Sequence, residues 1–311
     1  MLDVLLWGAN GFVQAFSWPA LALIFFNWFG EFPGRGTLYS ILSTNQNVGS
    51  ALTPIILTPL VAAFGWRAAI WGPAISGGVM ASLLILFLVE GPVKEANGNQ
   101  PEEAAEPDNN FMETVRIMML SPDVWLLGLG YALLTFTRVG ISDWSLVFLK
   151  DKHKLTTEVA RDCLVSLEVG GFIGGLAGGF VSDALFRGRR APVMVLFAAA
   201  IAAPAVWAIF NVANIDRFGL SAFYFAFGFG SFGPHVLVGL MSRELFPRAP
   251  STAGSFAKSL AQIGGSLAGV PVSILSERQG WNSVGGAWAL SMFFAGLAFA
   301  PLMFSKRLKV D

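Results

Sequence analysis

The sequence contains a single cysteine, Cys163, and two histidines, His153 and His235, among 311 residues. One thiol cannot close an internal disulfide, and one cysteine with two histidines cannot furnish a four-coordinate Cys/His zinc site. Charge is also scarce: Asp, Glu, Lys and Arg make up 13% of the chain, about half the usual share of a soluble domain. The twenty basic and twenty acidic side chains cancel, so no positive excess exists to offset a phosphate backbone, and nucleic-acid binding is set aside. The motifs include no nucleophile–base pair, no nucleotide-binding glycine loop and no Cys/His cluster, so neither an enzyme nor a bound cofactor is expected.

What is present is apolar. Hydrophobic residues make up 54% of the chain. They fall in blocks about 20 residues long, the length a helix needs to cross about 30 Å of hydrocarbon. Such blocks lie near residues 2–29, 37–63, 68–89, 121–149, 162–185, 191–211, 218–244, 251–276 and 284–304. The pattern predicts an all-α, multi-pass membrane protein in which each span satisfies its own backbone hydrogen bonds. One polar, acidic stretch over residues 91–115 interrupts them; rich in Glu, Asn, Pro and Gly, it is expected to be a linker between three spans in 1–90 and six in 116–311. The opening MLDVLLWGAN lacks a basic segment and a small-residue cleavage site, so the first apolar block is expected to stay in the protein. With the linker in the cytosol, eleven Lys and Arg residues fall on that side and seven on the other, a moderate positive-inside bias. The remaining two, Arg138 and Lys258, lie inside spans.

The chain also repeats itself. Pro19 and Gly65-Trp66 recur as Pro234 and Gly280-Trp281, both at an offset of 215 residues. Thr37 lands on Thr252, Asn47 on Gln262 and Gly49 on Gly264 at the same offset. Spans one to three therefore read as a second copy of spans seven to nine in the same orientation, the parallel repeat of a two-halved transporter. Spans four to six would have their partners before Met1, so three further spans are expected ahead of this chain, nine of twelve being present. A natural nine-span design is the alternative.

Several strings carry a family resemblance: SWPALALIFFNWF (17–29), ILSTNQNVGSALTPIIL (41–57), FGWRAA (64–69), RVGISDW (138–144), SLEVGGFIGG (166–175), GGFVSDALFRGRR (178–190), GFGSFGP (228–234), STAGSF (251–256) and QIGGSLAGVP (262–271). The chain resembles the major facilitator superfamily and, within it, the organophosphate/phosphate antiporters of the glucose-6-phosphate translocase type. The resemblance implies a helical bundle of two pseudo-symmetric halves and exchange of a sugar phosphate, glucose 6-phosphate being favoured, for inorganic phosphate by alternating access. It implies a monomer in the endoplasmic-reticulum membrane if the source is eukaryotic, or in the inner membrane if bacterial. A transporter-like sugar-phosphate sensor and an inactive truncated transporter are the rivals.

Within that frame the polar residues of the spans become candidates. An unpaired guanidinium near the middle of a span costs a few kcal/mol or more, so Arg138 must meet something anionic. Its planar fork can grip two oxygens of one phosphate; the resemblance assigns it that role, and a permanent ion pair with a neighbouring carboxylate is the alternative. A phosphate monoester approaches two negative charges at neutral pH, so a second cation is expected. The resemblance places it in the first span of the full family pattern; Lys258 either substitutes in part, or snorkels to the interface or pairs with an acid. Asn45, Gln46 and Asn47 are candidates to bond sugar hydroxyls or to act as interhelical amides, with Gln46 standing where glycerol-3-phosphate exchangers carry a histidine. Tyr131, His235 and Gln262 are weaker candidates, His235 beside Pro234 reading more readily as a partner to a helix break.

Asp143 lies about 140° around the helix from Arg138 and is expected, with Trp144, to make a gating or interhelical contact. Glu168 is the candidate partner of Arg138, or else a protonated acid bonded to a neighbouring helix. Gly170, Gly171, Gly174, Gly175, Gly178 and Gly179 form two superposed GxxxG series suited to close helix packing. Asp183, Arg187 and Arg190 match the superfamily's loop motif, which implies a latch between helices; basic anchoring at the interface is the plainer reading.

Overall fold

The computed structural model describes residues 2–29, 32, 34–89, 91, 111–211, 215–247 and 250–305. Among them there is no strand. The helices are α1 (Leu2–Ala15), α2 (Ser17–Phe29), α3 (Arg35–Ser43), α4 (Asn45–Phe64), α5 (Ala68–Phe87), α6 (Phe111–Leu120) and α7 (Pro122–His153). They continue with α8 (Thr157–Ala184), α9 (Ala191–Val195), α10 (Ala203–Asn211), α11 (Arg217–Leu245), α12 (Pro250–Leu267), α13 (Val270–Gln279) and α14 (Trp281–Phe299). A π-helical stretch, Leu196–Ala202, joins α9 to α10. Most of the expected linker, together with Lys94, Arg248 and the basic C-terminal residues, lies outside the described residues. Its last five residues, 111–115, open α6.

Seven helical segments are long and apolar enough to cross a membrane: Ala68–Phe87, Pro122–His153, Val159–Ala184, Ala191–Asn211, Arg217–Leu245, Thr252–Gln279 and Trp281–Phe304. The spans expected over 2–29 and 37–63 are each two helices rather than one. At the α3–α4 junction, backbone bonds from Thr44 to Ser40 (3.0 Å) and from Val48 to Thr44 (3.2 Å) carry the ladder across. The Thr44 hydroxyl donates back to the Ile41 carbonyl at 2.7 Å, a bond that bends helices.

One pair of helix ends repeats at the offset found in the sequence: α4 ends at Phe64 and α13 at Gln279. The turns that follow use equivalent glycines, Gly65 and Gly280, both at φ +80°, a left-handed conformation that glycine adopts without Cβ strain.

The chain divides into two compact units, one drawn from residues 1–35 and 49–103 and the other from 36–48 and 104–311. In the first, the Trp28 indole donates to the Val89 carbonyl at 3.1 Å, and α5 is exposed along nearly all its length, Ala68 being its one buried residue. In the second, α7 presents a stripe of Leu127, Leu134, Ile141 and Phe148, each seven residues on and each fully buried, as a coiled-coil-like seam requires. The adjacent stripe of the same helix carries Tyr131, Arg138 and Ser145.

The α8–α11 contact is backbone on backbone. A methyl group at Gly170 or Gly174 would run into the Phe225 and Phe229 carbonyl oxygens, and one at Gly178 would lie 2.9 Å from the Gly233 Cα. The second glycine series, Gly171, Gly175 and Gly179, faces Asn47, Thr44 and Ser40 of the 36–48 segment. Small residues let two helices approach closely in lipid, where little hydrophobic force draws them together. Gly174→Leu should therefore destabilise the protein by about 1–3 kcal/mol or more, read as a fall in the thermal midpoint in detergent. Gly49→Ala, with nothing within 4 Å of the added methyl, should leave the midpoint unchanged; equal midpoints for the two variants would show that the glycine contact does not hold α8 to α11.

Candidate functional site

Because α7 repeats its faces every seven residues, Tyr131 and Arg138 project from one side of it two turns apart. The Arg138 guanidinium carbon lies 4.7 Å from the centroid of the Phe232 ring of α11, within cation–π range. Its Nε is buried without a hydrogen-bond partner. The ion pairs among described residues involve Arg161, Arg190 and Arg217 but not Arg138.

Glu168 of α8 lies within electrostatic reach of Arg138 without forming a salt bridge. Its carboxylate accepts instead from Asn47 Nδ2 at 3.1 Å. Asn47 is 2% exposed, and its own Oδ1 has no partner. The Tyr131 ring lies against His235 of α11, centroids 5.3 Å apart and planes tilted by 59°, and His235 lies within electrostatic reach of both Arg138 and Lys258 of α12. The structure thus gathers Tyr131, Arg138, Glu168 and Lys258 around one cluster, with Asn47, Phe232 and His235 completing it. A guanidinium held in low dielectric beside unfilled acceptors and donors has N–H groups that an anion could satisfy.

Asn45 and Gln46, in the first turn of α4, are exposed and make no hydrogen bond to a described residue; their neighbour Asn47 is the one of the three that turns inward. Gln262, one turn beyond Lys258, is likewise exposed. Asp143 is exposed and outside every described ion pair. Trp144 donates its indole N–H at 2.8 Å to the Ala268 carbonyl. That carbonyl lies at the break between α12 and α13, where the helix ladder leaves an acceptor to be satisfied.

A second polar cluster joins the α8–α9 turn to α3 and α11. Arg190, 3% exposed, pairs with Asp183 and with Glu244 Oε1 at 3.1 Å, and its Nη1 donates to Ser182 Oγ at 2.9 Å. The Asp183 carboxylate accepts from the Thr37 backbone N–H at 3.0 Å and from its hydroxyl at 3.2 Å, placing negative charge at the N-terminal end of α3. Arg187 stands apart: at φ +52° in the turn, it is exposed and unpaired with any described residue. Ser182 and Glu244 carried no signal of this role in the sequence, and Thr37 was marked there only by the repeat.

Residues 4–269 match the family model described as Major Facilitator Superfamily. The "Probable hexose phosphate transport protein" of Chlamydia muridarum is 29% identical over 328 residues, covering 96% of this chain and 70% of that protein. The "Membrane sensor protein UhpC" of Salmonella typhimurium is 28% identical over 315 residues with the same two coverages. The "Glycerol-3-phosphate transporter" of Bacillus subtilis is 27% identical, covering 88% of this chain and 64% of its own.

Two of the three arginines of the α8–α9 turn, Arg187 and Arg190, should behave differently. Arg190→Ala leaves Asp183 and Glu244 without their shared cation and should cost about 3–5 kcal/mol of stability, whereas Arg187→Ala should fall within about 0.5 kcal/mol of the parent. Thermal unfolding in detergent at fixed protein concentration checks both, and a tolerant Arg190→Ala would remove the cluster's structural role.

Proposed function

The chain belongs to the Major Facilitator Superfamily and is an integral, multi-pass membrane protein; from that premise we propose that it exchanges a sugar phosphate for inorganic phosphate by alternating access. The observation that carries this reading is Arg138, buried mid-helix with an unpartnered Nε and no carboxylate in salt-bridge contact. A phosphoryl group would satisfy it through two charge-assisted bonds. The printed names of the hexose-phosphate and glycerol-3-phosphate transport relatives support the substrate class, and glucose 6-phosphate is our first candidate.

In this scheme Arg138 grips phosphate, and Lys258 adds positive charge nearby. Asn45, Gln46, Gln262 and Tyr131 are available to the sugar as the helices shift. Glu168, tied to Asn47 in this state, competes with substrate for Arg138, so an empty site resists rearrangement and an occupied one permits it. Trp144 at Ala268, and Asp183 with Arg190, act as gating contacts in this state, and Asp143 and Arg187 engage as the helices shift. The moving halves are residues 1–90 and 116–311, joined by the acidic 91–115 segment. Exchange rather than net flux follows, because any phosphate can neutralise the same cation.

One likeness favours a second reading. The sensor relative matches this chain over the same 96% as the hexose-phosphate relative, so binding without exchange would make the protein a sugar-phosphate sensor. Proteoliposomes loaded with inorganic phosphate separate the two. Uptake of labelled glucose 6-phosphate that depends on internal phosphate supports exchange, while saturable binding without counterflow supports sensing. Arg138→Lys keeps the charge but loses the fork and should lower phosphate-dependent uptake at least about tenfold, the loss of one well-made charge-assisted bond. Uptake near the parent rate in that variant would remove Arg138 from the site.

A further inference from the structure

We infer that His235 is a second ligand of the phosphoryl group, donating a ring N–H to the anion that Arg138 grips. The inference rests on the exchange reading above and adds to it the residue that completes the phosphate subsite within residues 36–48 and 104–311.

Four observations place the imidazole there. His235 sits on α11 one turn beyond Phe232, and its ring lies 5.3 Å from Tyr131 and 5.9 Å from Phe232. The same Phe232 ring carries the Arg138 guanidinium at 4.7 Å, so a cation and an imidazole both lie against one aromatic ring. His235 Nδ1 is buried without a hydrogen-bond partner, as is Arg138 Nε. Although His235 directly follows the proline of α11, it makes no hydrogen bond to a described residue and so does not serve as a partner to the helix break.

Two buried nitrogens left unfilled within one cluster are costly, and one anion between them would answer both. The groups facing His235 are Tyr131 and Arg138 from α7 and Lys258 from α12, with Glu168 of α8 reaching the cluster through Arg138. A neutral imidazole carries one N–H to give. A phosphate monoester arrives with between one and two negative charges, more than one guanidinium offsets, and an imidazole can both donate to it and hold a proton against it. The contact is to the phosphoryl group and not to the sugar, because the unfilled nitrogen shares its ring neighbour with Arg138. Inorganic phosphate and sugar phosphate must therefore depend on it alike.

The test uses the full chain with inorganic phosphate as the probe. Phosphate binding is read by protection against thermal unfolding, and phosphate–phosphate and glucose 6-phosphate–phosphate exchange are read in proteoliposomes. His235→Phe keeps a ring between Tyr131 and Phe232 but has no donor, and His235→Leu is the second donor-free variant should the first fail to accumulate. Both should weaken inorganic phosphate roughly tenfold or more, the loss of a bond to a charged group, and weaken glucose 6-phosphate by the same factor. His235→Gln, which restores a neutral donor, should fall between them and the parent. A donor-free variant that binds phosphate within about twofold of the parent, or that loses only glucose 6-phosphate, overturns the inference while leaving exchange by the parent intact. A parent that binds phosphate without exchanging it sinks the exchange reading alone, since the binding comparison still decides His235; a parent that binds no phosphate sinks both.

Discussion

Everything in the larger unit depends on how closely α8 can lie against α11. Gly170, Gly174 and Gly178 bring the two backbones together with no side chain between them, and that approach sets where the remaining faces of both helices point. One residue on from each of these glycines, Gly171, Gly175 and Gly179 make room for Asn47, Thr44 and Ser40. The same stripe therefore delivers Asn47 to Glu168, and the α11 face opposite delivers Phe232 and His235 to Arg138. In lipid, where apolar burial drives little helix association, such fit supplies the adhesion.

Two arginines show two ways of placing a cation in such a protein. Arg190 is paired: Asp183, Glu244 and Ser182 all accept from it, and Asp183 is itself held by Thr37 at the start of α3. That cluster ties its charge to carboxylates of the protein itself. Arg138 is the opposite case, with an aromatic face on one side, Glu168 held off by Asn47, and an unfilled Nε. A buried charge without a salt bridge is costly in isolation, and a bound anion would offset that cost.

The repeat is where sequence and backbone agree most closely. An offset found by matching Pro19 to Pro234 and Gly65 to Gly280 also relates the end of α4 to the end of α13, and the two glycines share one φ of +80°. Turn glycines and helix ends are local decisions, so they survive in the residue pattern. The repeat is less regular in its bends: its first copy bends at Thr44, between α3 and α4, while the second breaks at Ala268–Gly269, between α12 and α13. The first bend carries a local bond from the Thr44 hydroxyl, whereas the carbonyl at the second accepts from the Trp144 indole of α7, 124 residues away.

The sequence by itself determined the membrane class, the positions of the long apolar helices, the glycine stripes, the two-copy pattern and the oddity of Arg138. All of these follow from composition and spacing along one chain, which carry the hydrophobic and backbone terms directly. Only the tertiary structure decided partnership. It selected Asn47 over Asn45 and Gln46, set Arg190 in a cluster and left Arg187 outside it, brought Glu244 and Thr37 to Asp183, and turned His235 toward Arg138. Those choices depend on which faces of helices far apart in sequence meet, and one shift of about 100° around a helix axis separates a buried amide bonded to Glu168 from an exposed one.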